Sequence, residues 1–452
     1  MARSILAAVQ QIKSEVAQFL SHELILEVCV AVDHVWRERV LDPMTTVHLF
    51  VLQVLHGNAA CSHVPRLGGV ACSGEAYCQA RQRLPLAVLR YLLRALSHHL
   101  GSSTMLDEGR WHGHRTFLVD GSSVSMPDTP VLQEAFGQPG AQKPGCGFPV
   151  MHLLTLFHAS TGFLLNVVAA PLRTHDMARV GKIHPDLQAG DILVGDRGFC
   201  SFAHLALLAG RGVFGVFRVH QKQIVNFRPH RRAASKRSRG CKQRGLPSSR
   251  WLKRLGRHDQ VVEYSKPGQR PKWLSVEAFA ALPETITVRE LRFNVSQRGC
   301  RTRVITLATT LLDCKRYPKA DLAELYAQRW QIETNFRHLK QTLHMDVLRC
   351  KTPEGVQKEL TVYALVYNLV RLVMLEAAQR QEVSVDRISF IDAVRWLADA
   401  VHGAAELQLR LIPLRPGRFE PRAIKRRPKQ YGRLNQPRDV LRKRLLCKKD
   451  AA

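Results

Sequence analysis

The sequence predicts a mixed α/β fold, and three observations carry this prediction. Short apolar runs typical of strands follow one another after residue 111, a strongly basic segment interrupts them at residues 220–299, and Pro318 opens a long helical stretch. The chain has 452 residues, of which 45% are hydrophobic and 23% charged. This length suits roughly three domains of about 150 residues, and this composition is typical of folded proteins. A mini-protein and a wholly disordered chain are therefore excluded.

Residues 1–110 are predicted to form a helical domain. Apolar residues recur there at helical spacing, and a serine and a proline mark further helix starts. These signals lie at residues 5–20, at residues 47–55, at Ser73 and at Pro85. Arg81 and Arg83 follow on the helix that starts after Ser73. Two short helices with such arginines fit either a DNA-docking pair or a plain helical bundle with surface arginines, and both interpretations stay open.

The α/β core is predicted in two parts, residues 111–219 and residues 300–380, separated by a strand-rich insertion at residues 220–299. Apolar runs bounded by turn-forming residues mark the strands. The predicted strands span residues 117–119, 150–157, 163–168, 192–194, 213–219, 285–295 and 304–307. The predicted helices span residues 202–208 and Pro318 to at least Gln341. Residues 381–452 are predicted to be a helical segment followed by a basic tail.

The charge is the most unusual property of the sequence. Lys and Arg number 67 against 37 Asp and Glu, a formal net charge of +30, and two segments hold most of it. Residues 218–272 contain 17 basic and two acidic residues, and residues 415–452 contain 14 basic and three acidic ones. A single run of this kind is typical of a solvated face or tail. Cations interleaved with aromatic residues also suit a nucleic acid, because they neutralise phosphates while rings stack on bases.

Cysteine usage and hydropathy predict a reduced, intracellular protein. The 11 cysteines are scattered and form no C-x-x-C pair, so no zinc site is indicated. The first residues carry charged and amide side chains where a signal peptide would be continuously apolar. The longest apolar stretch, residues 362–375, is interrupted by Asn368 and Arg371 and is too short to span a bilayer. No membrane contact is expected.

The predicted C-terminal core helix carries four polar residues on one face. They are Tyr326, Arg329, Glu333 and Lys340. Spacings of 3, 4 and 7 residues place them within an arc of about 60° on an α-helix. Arg337 falls beside this arc. A solvent-exposed face with i,i+4 ion pairs would explain the same spacing, so the helix alone does not establish a site.

Asp120 and Asp196 each follow an apolar strand, where a carboxylate is held rigidly and still faces solvent. An aspartate before glycine is more often a turn former, which is the alternative for Asp120. Together with Glu333, the two aspartates supply the carboxylates that a pair of magnesium ions needs for phosphodiester cleavage. Arg329 and Lys340 would then bind phosphate oxygens. Three further carboxylates are interpreted as turn, loop and outward-facing residues respectively: Asp191, Asp128 and Glu324.

Three motifs, taken in order, are similar to those of a known enzyme family. The helix residues follow the pattern Y, two residues, R, three residues, E, six residues, K. Residues 119–122, VDGS, are similar to the first acidic motif of that family, and residues 195–199, GDRGF, are similar to the second. The resemblance extends over residues 117–371. In these motifs the sequence resembles the DDE transposases of the IS4 family.

The resemblance implies an RNase H-like core in which three carboxylates hold two metal ions, Mg²⁺ with Mn²⁺ able to substitute. These carboxylates are Asp120, Asp196 and Glu333. The resemblance also implies a strand-rich insertion between the last two of them, where the basic segment lies. The residues implied to contact DNA are Tyr326, Arg329, Lys340, Arg337 and Arg197, and either Trp251 or Trp273 of the insertion for a flipped base.

The implied function is that of a DNA transposase, which binds the ends of its own mobile element, cleaves them and joins the released 3′ hydroxyls to target DNA. Its implied partners are the element ends, the target DNA and a second copy of the chain in a synaptic complex. The implied location is the bacterial cytoplasm, in association with the nucleoid. Two alternatives stay open: an RNase H-like nuclease that cuts without rejoining, and an inactive descendant that only binds DNA.

Overall fold

The N-terminal part of the structure is helical, as predicted. A computed structural model describes residues 20–102, 109–230, 247–295, 304–399, 407–414 and 434–449. The helix predicted at residues 5–20 therefore lies outside the described residues, except for Leu20. The helices described before the sheet are α1 His22–Ala31, α2 Pro43–Leu55, α3 Val64–Leu67, α4 Gly74–Arg83 and α5 Leu86–Ser102. The side chains of Asp42 and Ser73 cap α2 and α4 by accepting backbone N–H groups.

Arg81 is buried, so the prediction that it belongs to a surface or DNA-docking face was wrong. The residue is only 9% exposed. Its Nη1 donates to Gln53 Oε1 at 2.8 Å, and its guanidinium lies 3.8 Å from the Phe50 ring centroid. These contacts offset the cost of taking the charge out of water. Arg81 therefore holds α4 against α2, while Arg83 at the end of α4 is exposed.

Nine strands of the described residues form one sheet. They are β1 Thr116–Ser125, β2 Val150–His158, β3 Leu164–Pro171, β4 Ile192–Gly195, β5 Phe214–Arg218, β6 Ser249–Gly256, β7 Asp259–Ser265, β8 Thr285–Asn294 and β9 Val304–Thr309. Their order is β3-β2-β1-β4-β5-β9-β8-β7-β6, with β1, β4 and β5 parallel and the other neighbours antiparallel. The mixed α/β class is confirmed. Every individually predicted strand is present, and β6 and β7 add to them.

β1 extends beyond the point at which the sequence predicted a turn. Gly121 pairs with Leu154 of β2, and the pairing continues to Ser125. Asp120 therefore lies within a strand, and the prediction that this strand stops at Asp120 was wrong. Gly121 has another role, because a Cβ at this position would lie 2.5 Å from Oδ1 of Asp176. The glycine lets a carboxylate approach the strand.

The strands of the basic segment continue the same sheet. β6, β7 and β8 lie within residues 220–299, and β8 pairs with β9, which pairs with β5. Arg289 of β8 is fully buried and donates to both carboxylate oxygens of Asp259 in β7, at 2.8 and 2.6 Å. It also donates to the carbonyl oxygen of Tyr317 at 2.7 Å. Because Tyr317 precedes the C-terminal core helix, this buried pair ties that helix to the basic segment. Residues 231–246 lie outside the described residues.

Helices pack on both faces of the sheet. The helices that follow β1 in the chain are α6 Pro130–Phe136, α7 Phe202–Ala209, α8 Val276–Ala280, α9 Lys319–Ala327, α10 Gln331–Arg337, α11 Pro353–Arg380, α12 Phe390–Asp399 and α13 Arg438–Lys449. Side chains of a strand alternate between faces. Leu118 of β1 accordingly packs in the core that contains α11, and Phe117 packs in the core that contains α7. Residues 415–433 of the predicted basic tail lie outside the described residues.

α11 is the central helix of the larger core. Among the described residues it is the helix long and apolar enough to cross a membrane by length and composition, but 89% of its most apolar window is buried inside the protein. The polar residues that interrupt the apolar stretch serve the packing. Asn368 bonds both backbone groups of Leu164 in β3, and Arg371 donates to the carbonyl oxygen of Thr161. The stretch at residues 362–375 therefore belongs to a longer, 28-residue core helix.

His204 of α7 is fully buried beside two other rings. Its ring lies 5.3 Å from that of His184 and 5.1 Å from that of Phe217, and its Nδ1 is 2.9 Å from the carbonyl oxygen of Phe199. Burial lowers the pKa of His204 from 6.5 to about 3. Below about pH 6.5, His204 therefore takes up a proton in the unfolded chain but stays neutral in the folded chain. The free energy of unfolding is expected to fall as the pH drops from about 6.5 towards 3.

Replacing His204 by leucine is expected to make this loss of stability shallower, because the ring that resists protonation is gone. Urea unfolding at several pH values between 6.5 and 4 measures the slope. His98→Leu is the control, since His98 is an exposed histidine of α5 and its replacement should leave the slope unchanged. Equal slopes in wild type and His204→Leu would contradict the expectation.

Candidate active site

Asp120 of β1 and Asp196, which directly follows β4, lie beside each other at two neighbouring parallel strands. Val119 of β1 pairs with Gly195 of β4, and each aspartate is the next residue along the chain. Neighbouring strands are about 4.8 Å apart, so the two carboxylates emerge close together. The negative charge of Asp196 is one of the causes that raise the pKa of Asp120. This electrostatic effect reflects the same proximity.

The Asp120 carboxyl resists ionisation in the folded chain. Burial is the main cause, and it raises the pKa of Asp120 from 3.8 to about 6, with the charge of Asp196 acting in the same direction. The N–H of Gly121, which donates to Asp120 Oδ1 at 2.8 Å, and the guanidinium of Arg329 oppose the rise. A carboxyl in this position gains from any cation placed beside it. The site is therefore built to attract positive charge.

The helix that carries Glu333 differs from the uniform α-helix that the sequence predicts. After α9 the chain makes a 3₁₀ turn at Gln328–Trp330, resumes as α10 and ends in a π-helical turn at His338–Thr342. Pro318 stands immediately before α9, as predicted for a helix start. A 3₁₀ turn advances about 120° per residue where an α-helix advances about 100°. The 60° arc predicted for an ideal helix therefore does not describe this run.

Arg329 and Lys340 of this run both reach β1. Arg329 Nη1 lies 3.4 Å from Asp120 Oδ2, and Lys340 Nζ donates to Ser122 Oγ at 3.2 Å. Asp120 and Ser122 are two residues apart on a strand and so share one face. Burial lowers the pKa of Lys340, and the charge of Asp346 opposes this. The helical run thus lays two cations along the face of β1 that carries the carboxylate.

Glu333 is joined to Asp120 through Arg329. Arg329 Nη2 lies 3.9 Å from Glu333 Oε1, while Nη1 of the same guanidinium contacts Asp120. Two oxygens that contact one planar guanidinium are separated by no more than about 10 Å. The Glu333 side chain is 59% exposed and that of Arg329 only 13%. Arg329 therefore contacts two of the three predicted carboxylates, those of Asp120 and Glu333, with Glu333 on the solvent side.

Tyr326 lies against Arg329 in the interior. The residue is 3% exposed, and its ring centroid is 6.0 Å from the guanidinium carbon. Burial raises the pKa of Tyr326 to about 12, and the charge of Arg329 opposes this. Trp330 contacts the same guanidinium, with its ring centroid at 4.9 Å, and is 43% exposed. Arg329 is therefore flanked by one buried and one exposed ring.

Two further predicted DNA contacts are exposed arginines next to the carboxylates in sequence. Arg197 follows Asp196 directly and donates to Gln221 Oε1 at 2.7 Å. Arg337 lies at the end of α10 and donates to Thr334 Oγ1 at 3.2 Å. Both are on the surface, so both present positive charge to solvent in the region of the site.

The two tryptophans of the basic segment lie away from the carboxylates. Trp251 belongs to β6, the edge strand, six strand positions from β1, and its ring lies 4.5 Å from that of His230. Trp273 is partly buried and packs against the core that contains α7. Within this chain, neither ring belongs to the cluster around Arg329.

Asp176 is a fourth carboxylate near the site, and no sequence motif predicted it. Its carboxylate packs against Gly121, and Oδ1 lies 3.4 Å from Nε2 of His152. Its charge contributes to the raised pKa of Asp120, and burial is the main cause that raises its own pKa. The sequence feature that could have indicated Asp176 was its position, since residues 174–176 lie just after β3. Asp176 opens a three-residue 3₁₀ helix, which is too short to show a periodicity that would have singled it out.

The carboxylates set aside on sequence grounds are engaged elsewhere or point away. Asp191 is 3% exposed and accepts hydrogen bonds from Nε and Nη2 of Arg115, both at 2.8 Å. It is thus a buried ion-pair partner, and its interpretation as a simple turn residue was incomplete. Asp128 accepts from Gln133 Nε2 at 2.8 Å, and Glu324 is exposed on α9.

The chemistry of the converging carboxylates suits a hard divalent cation. Carboxylate oxygens are the ligands that Mg²⁺ and Mn²⁺ prefer. Within the part of the chain that the structure describes, no group of three or more His, Cys, Asp or Glu stands close enough together to hold a metal ion. The guanidinium of Arg329 lies between two of the three. The chemistry of the donor set therefore fits such ions, but the spacing of the three carboxylates in this structure does not form a metal site among the described residues.

Comparison with known proteins shows the family. Residues 111–369 match the transposase DDE domain. The chain is 26% identical over 378 residues to the transposase InsG for insertion sequence element IS4 of Escherichia coli (strain K12), over 79% of this chain and 77% of that protein. A cryo-EM structure of the piggyBac transposase synaptic complex with hairpin DNA is similar with a TM-score of 0.45 and 11% identity, over 85% of this chain and 78% of that one. The matched domain contains all three carboxylates, and the chain belongs to the IS4 family of DDE transposases.

Proposed function

We propose that Asp120, Asp196 and Glu333 hold two divalent metal ions, Mg²⁺ or Mn²⁺, with which this transposase cleaves the ends of its mobile element and joins the 3′ ends to target DNA. When bound, such a pair activates the attacking water or hydroxyl and stabilises the leaving oxygen. One observation carries the proposal: Asp120 and Glu333 contact one guanidinium, and Asp196 follows β4 next to Asp120.

The basic side chains around the carboxylates would bind DNA phosphates. Arg329 offers two terminal N–H groups that suit two phosphate oxygens, and Lys340 offers a point charge. Tyr326, packed against the guanidinium, would orient it. Arg197 and Arg337 are exposed and would extend the positive surface along the DNA.

We further propose that the catalytic core is RNase H-like and comprises residues 111–219 and 300–380. The parallel pair β1 and β4, which carries the two aspartates, supports this assignment. Residues 220–299 would be the insertion, since β6 to β8 extend the sheet beyond β9. Residues 1–110 would form a helical domain that contributes to DNA binding, and residues 381–452 a helical segment and DNA-contacting tail.

One of the insertion tryptophans would hold a base flipped out of the DNA end. Trp251 is the better candidate by its surroundings, since its ring is partly exposed and touches only His230 among the aromatic rings described. Trp273 packs against the core, which leaves less of its ring for a base.

The proposed partners are the two ends of the element, the target DNA and a second copy of the chain. The net charge of +30 supports a polyanionic partner. A homodimer would synapse the two ends, so that each active site acts on a defined strand. The proposed location is the bacterial cytoplasm, where the chain would associate with the nucleoid.

A joining assay tests the proposed reaction. Purified protein is supplied with either pre-cleaved or uncleaved element ends, a supercoiled plasmid and Mg²⁺, and the products are separated by electrophoresis. Covalent joining of the ends to the plasmid is expected. Nicking or cleavage of uncleaved ends without any joined product would favour a nuclease, and binding without metal-dependent cleavage would favour an inactive descendant. Sequencing the DNA on either side of the gene identifies the ends to be used.

A further inference from the structure

Arg329 occupies the space between two of the proposed metal ligands. Its Nη1 lies 3.4 Å from Asp120 Oδ2 and its Nη2 lies 3.9 Å from Glu333 Oε1. We propose that Arg329 is an internal counter-ion, which competes with the divalent metal in the DNA-free protein and is displaced when the metal binds. This inference rests on the proposed function, because it takes the carboxylates to be metal ligands.

The contacts of Arg329 are those of a replaceable cation. Charge-assisted N–H···O bonds are typically about 2.7–2.9 Å long, and both contacts of Arg329 are longer. Arg289, in the same protein, holds Asp259 at 2.8 and 2.6 Å and shows what a fixed pair looks like. Nε of Arg329 is buried and has no hydrogen-bond partner among the described residues. The guanidinium is therefore attracted to the carboxylates without being locked to them.

A metal ion and the guanidinium would exclude each other. Both are attracted by the same carboxylate oxygens, so a divalent cation held by Asp120 and Glu333 would compete for the place that the guanidinium now occupies. Like charges about 4 Å apart repel strongly in a partly buried site. Because the Arg329 side chain is 13% exposed, solvent screens this repulsion only in part. Metal binding therefore has to move Arg329.

Trp330 gives Arg329 a contact on its solvent side. The ring, in a residue that is 43% exposed, lies 4.9 Å from the guanidinium carbon, so an Arg329 side chain that moves towards solvent keeps a cation–π partner. Arg329 belongs to the 3₁₀ turn Gln328–Trp330, whose hydrogen-bond geometry is poorer than that of the flanking α-helices. Once displaced, its two terminal N–H groups would face a DNA phosphate. Metal binding and binding of the DNA end would then strengthen each other.

Mn²⁺ binding to the full chain without DNA tests this proposal, with free Mn²⁺ followed by electron paramagnetic resonance. Arg329→Gln is expected to lower the dissociation constant for Mn²⁺ about tenfold, because the competing charge is removed. Arg337→Gln is the matched control. It removes the same charge from an exposed position on the same helical run, where the side chain contacts Thr334. Its effect is expected to stay below about twofold.

Thermal unfolding completes the test and shows whether each variant is folded. Mn²⁺ is expected to raise the Tm of Arg329→Gln, measured against EDTA, by more than it raises the Tm of the wild type. Arg329→Met replaces Arg329→Gln if the latter does not fold, with the same expectations. Asp120→Asn is expected to lose Mn²⁺ binding, since an amide is a poor ligand for this ion.

Four outcomes separate this inference from the proposed function. Unchanged or weaker Mn²⁺ binding in folded Arg329→Gln would overturn the counter-ion role alone, provided that Asp120→Asn loses binding. Equal tightening in Arg337→Gln would also overturn it, because net charge would then explain the effect. Binding that survives in Asp120→Asn would overturn both the inference and the proposed ligands. Absence of Mn²⁺ binding in every variant, wild type included, would overturn both as well.

Discussion

Replacing any one of the three proposed metal ligands by its amide is expected to lower cleavage of element ends at least about a hundredfold. Binding of the ends is expected to stay within about threefold of wild type. The variants are Asp120→Asn, Asp196→Asn and Glu333→Gln. Each amide keeps the shape of the side chain but loses the charge that would hold a metal ion. The phosphate contacts proposed for the basic side chains do not depend on that charge. Single-turnover cleavage of labelled ends in Mg²⁺ and a gel-shift assay in EDTA measure the two effects separately.

Glu324→Gln is the matched control for Glu333→Gln. Both glutamates belong to the same helical run, and Glu324 is exposed on α9. Its replacement is expected to leave cleavage unchanged, because no phosphate or metal would contact it. Full cleavage by any of the three carboxylate variants would remove that residue from the site. A parallel loss of binding and cleavage would instead indicate damage to the fold or to the DNA interface.

Arg289→Ala is expected to lower the free energy of unfolding by about 3–5 kcal/mol. Arg289 is fully buried, and its loss would leave the carboxylate of Asp259 in the interior without its cation. The carbonyl oxygen of Tyr317 would also lose a donor just before the helical run that carries Glu333. Urea unfolding followed by tryptophan fluorescence measures the change.

A surface pair in the same sheet supplies the control. Arg250 of β6 contacts Glu263 of β7 at 2.9 Å, but its side chain is 66% exposed. Solvent screens such a pair, so Arg250→Ala is expected to cost less than about 1 kcal/mol. Replacing both buried partners, as Asp259→Leu with Arg289→Met, is expected to recover much of the lost stability, because no unpaired charge stays behind. A loss in the single variant no larger than that of the surface control would contradict the assigned role.

The buried pair also gives the basic segment a structural role in the site. Asp259 and Arg289 belong to β7 and β8, yet they reach the residue that precedes Pro318. Lys319, the first residue of α9, in turn donates to the carbonyl oxygen of Arg257 at 2.8 Å. The strands of the basic segment therefore help to set where the Glu333 helix begins. The basic segment looks like an insertion in the sequence, yet these hydrogen bonds connect it to the helical run of the candidate active site.

Much of the fold could be predicted because its signals are local. Apolar runs and turn residues marked seven of the nine strands, and Ser73, Pro85 and Pro318 marked helix starts that the structure confirms. Two strands of the basic segment, β6 and β7, were not predicted individually. In β6 charged residues such as Lys253 and Arg254 occupy consecutive positions of an exposed edge strand, so the alternation that identifies a strand is weak there.

Local patterns failed where burial or backbone pairing decided the outcome. Arg81 follows a helix signal and carries a charge, which predicts a surface position, but the aromatic and amide groups that bury it come from α2. Asp120 followed by Gly121 is a turn signal, but pairing with β2 carries the strand through both residues. In each case the deciding partner is distant in sequence, so no window of neighbouring residues contains it.

The sequence by itself determined which residue types the site uses, since the two acidic motifs and the spacing of Tyr326, Arg329, Glu333 and Lys340 are properties of short segments. The tertiary structure decided how those segments meet. It placed Arg329 between Asp120, 209 positions away, and Glu333, and it added Asp176 next to Gly121. The physical reason is that ion pairing and close approach depend on distance in space, which strand order and helix packing set and which periodicity along the chain does not record.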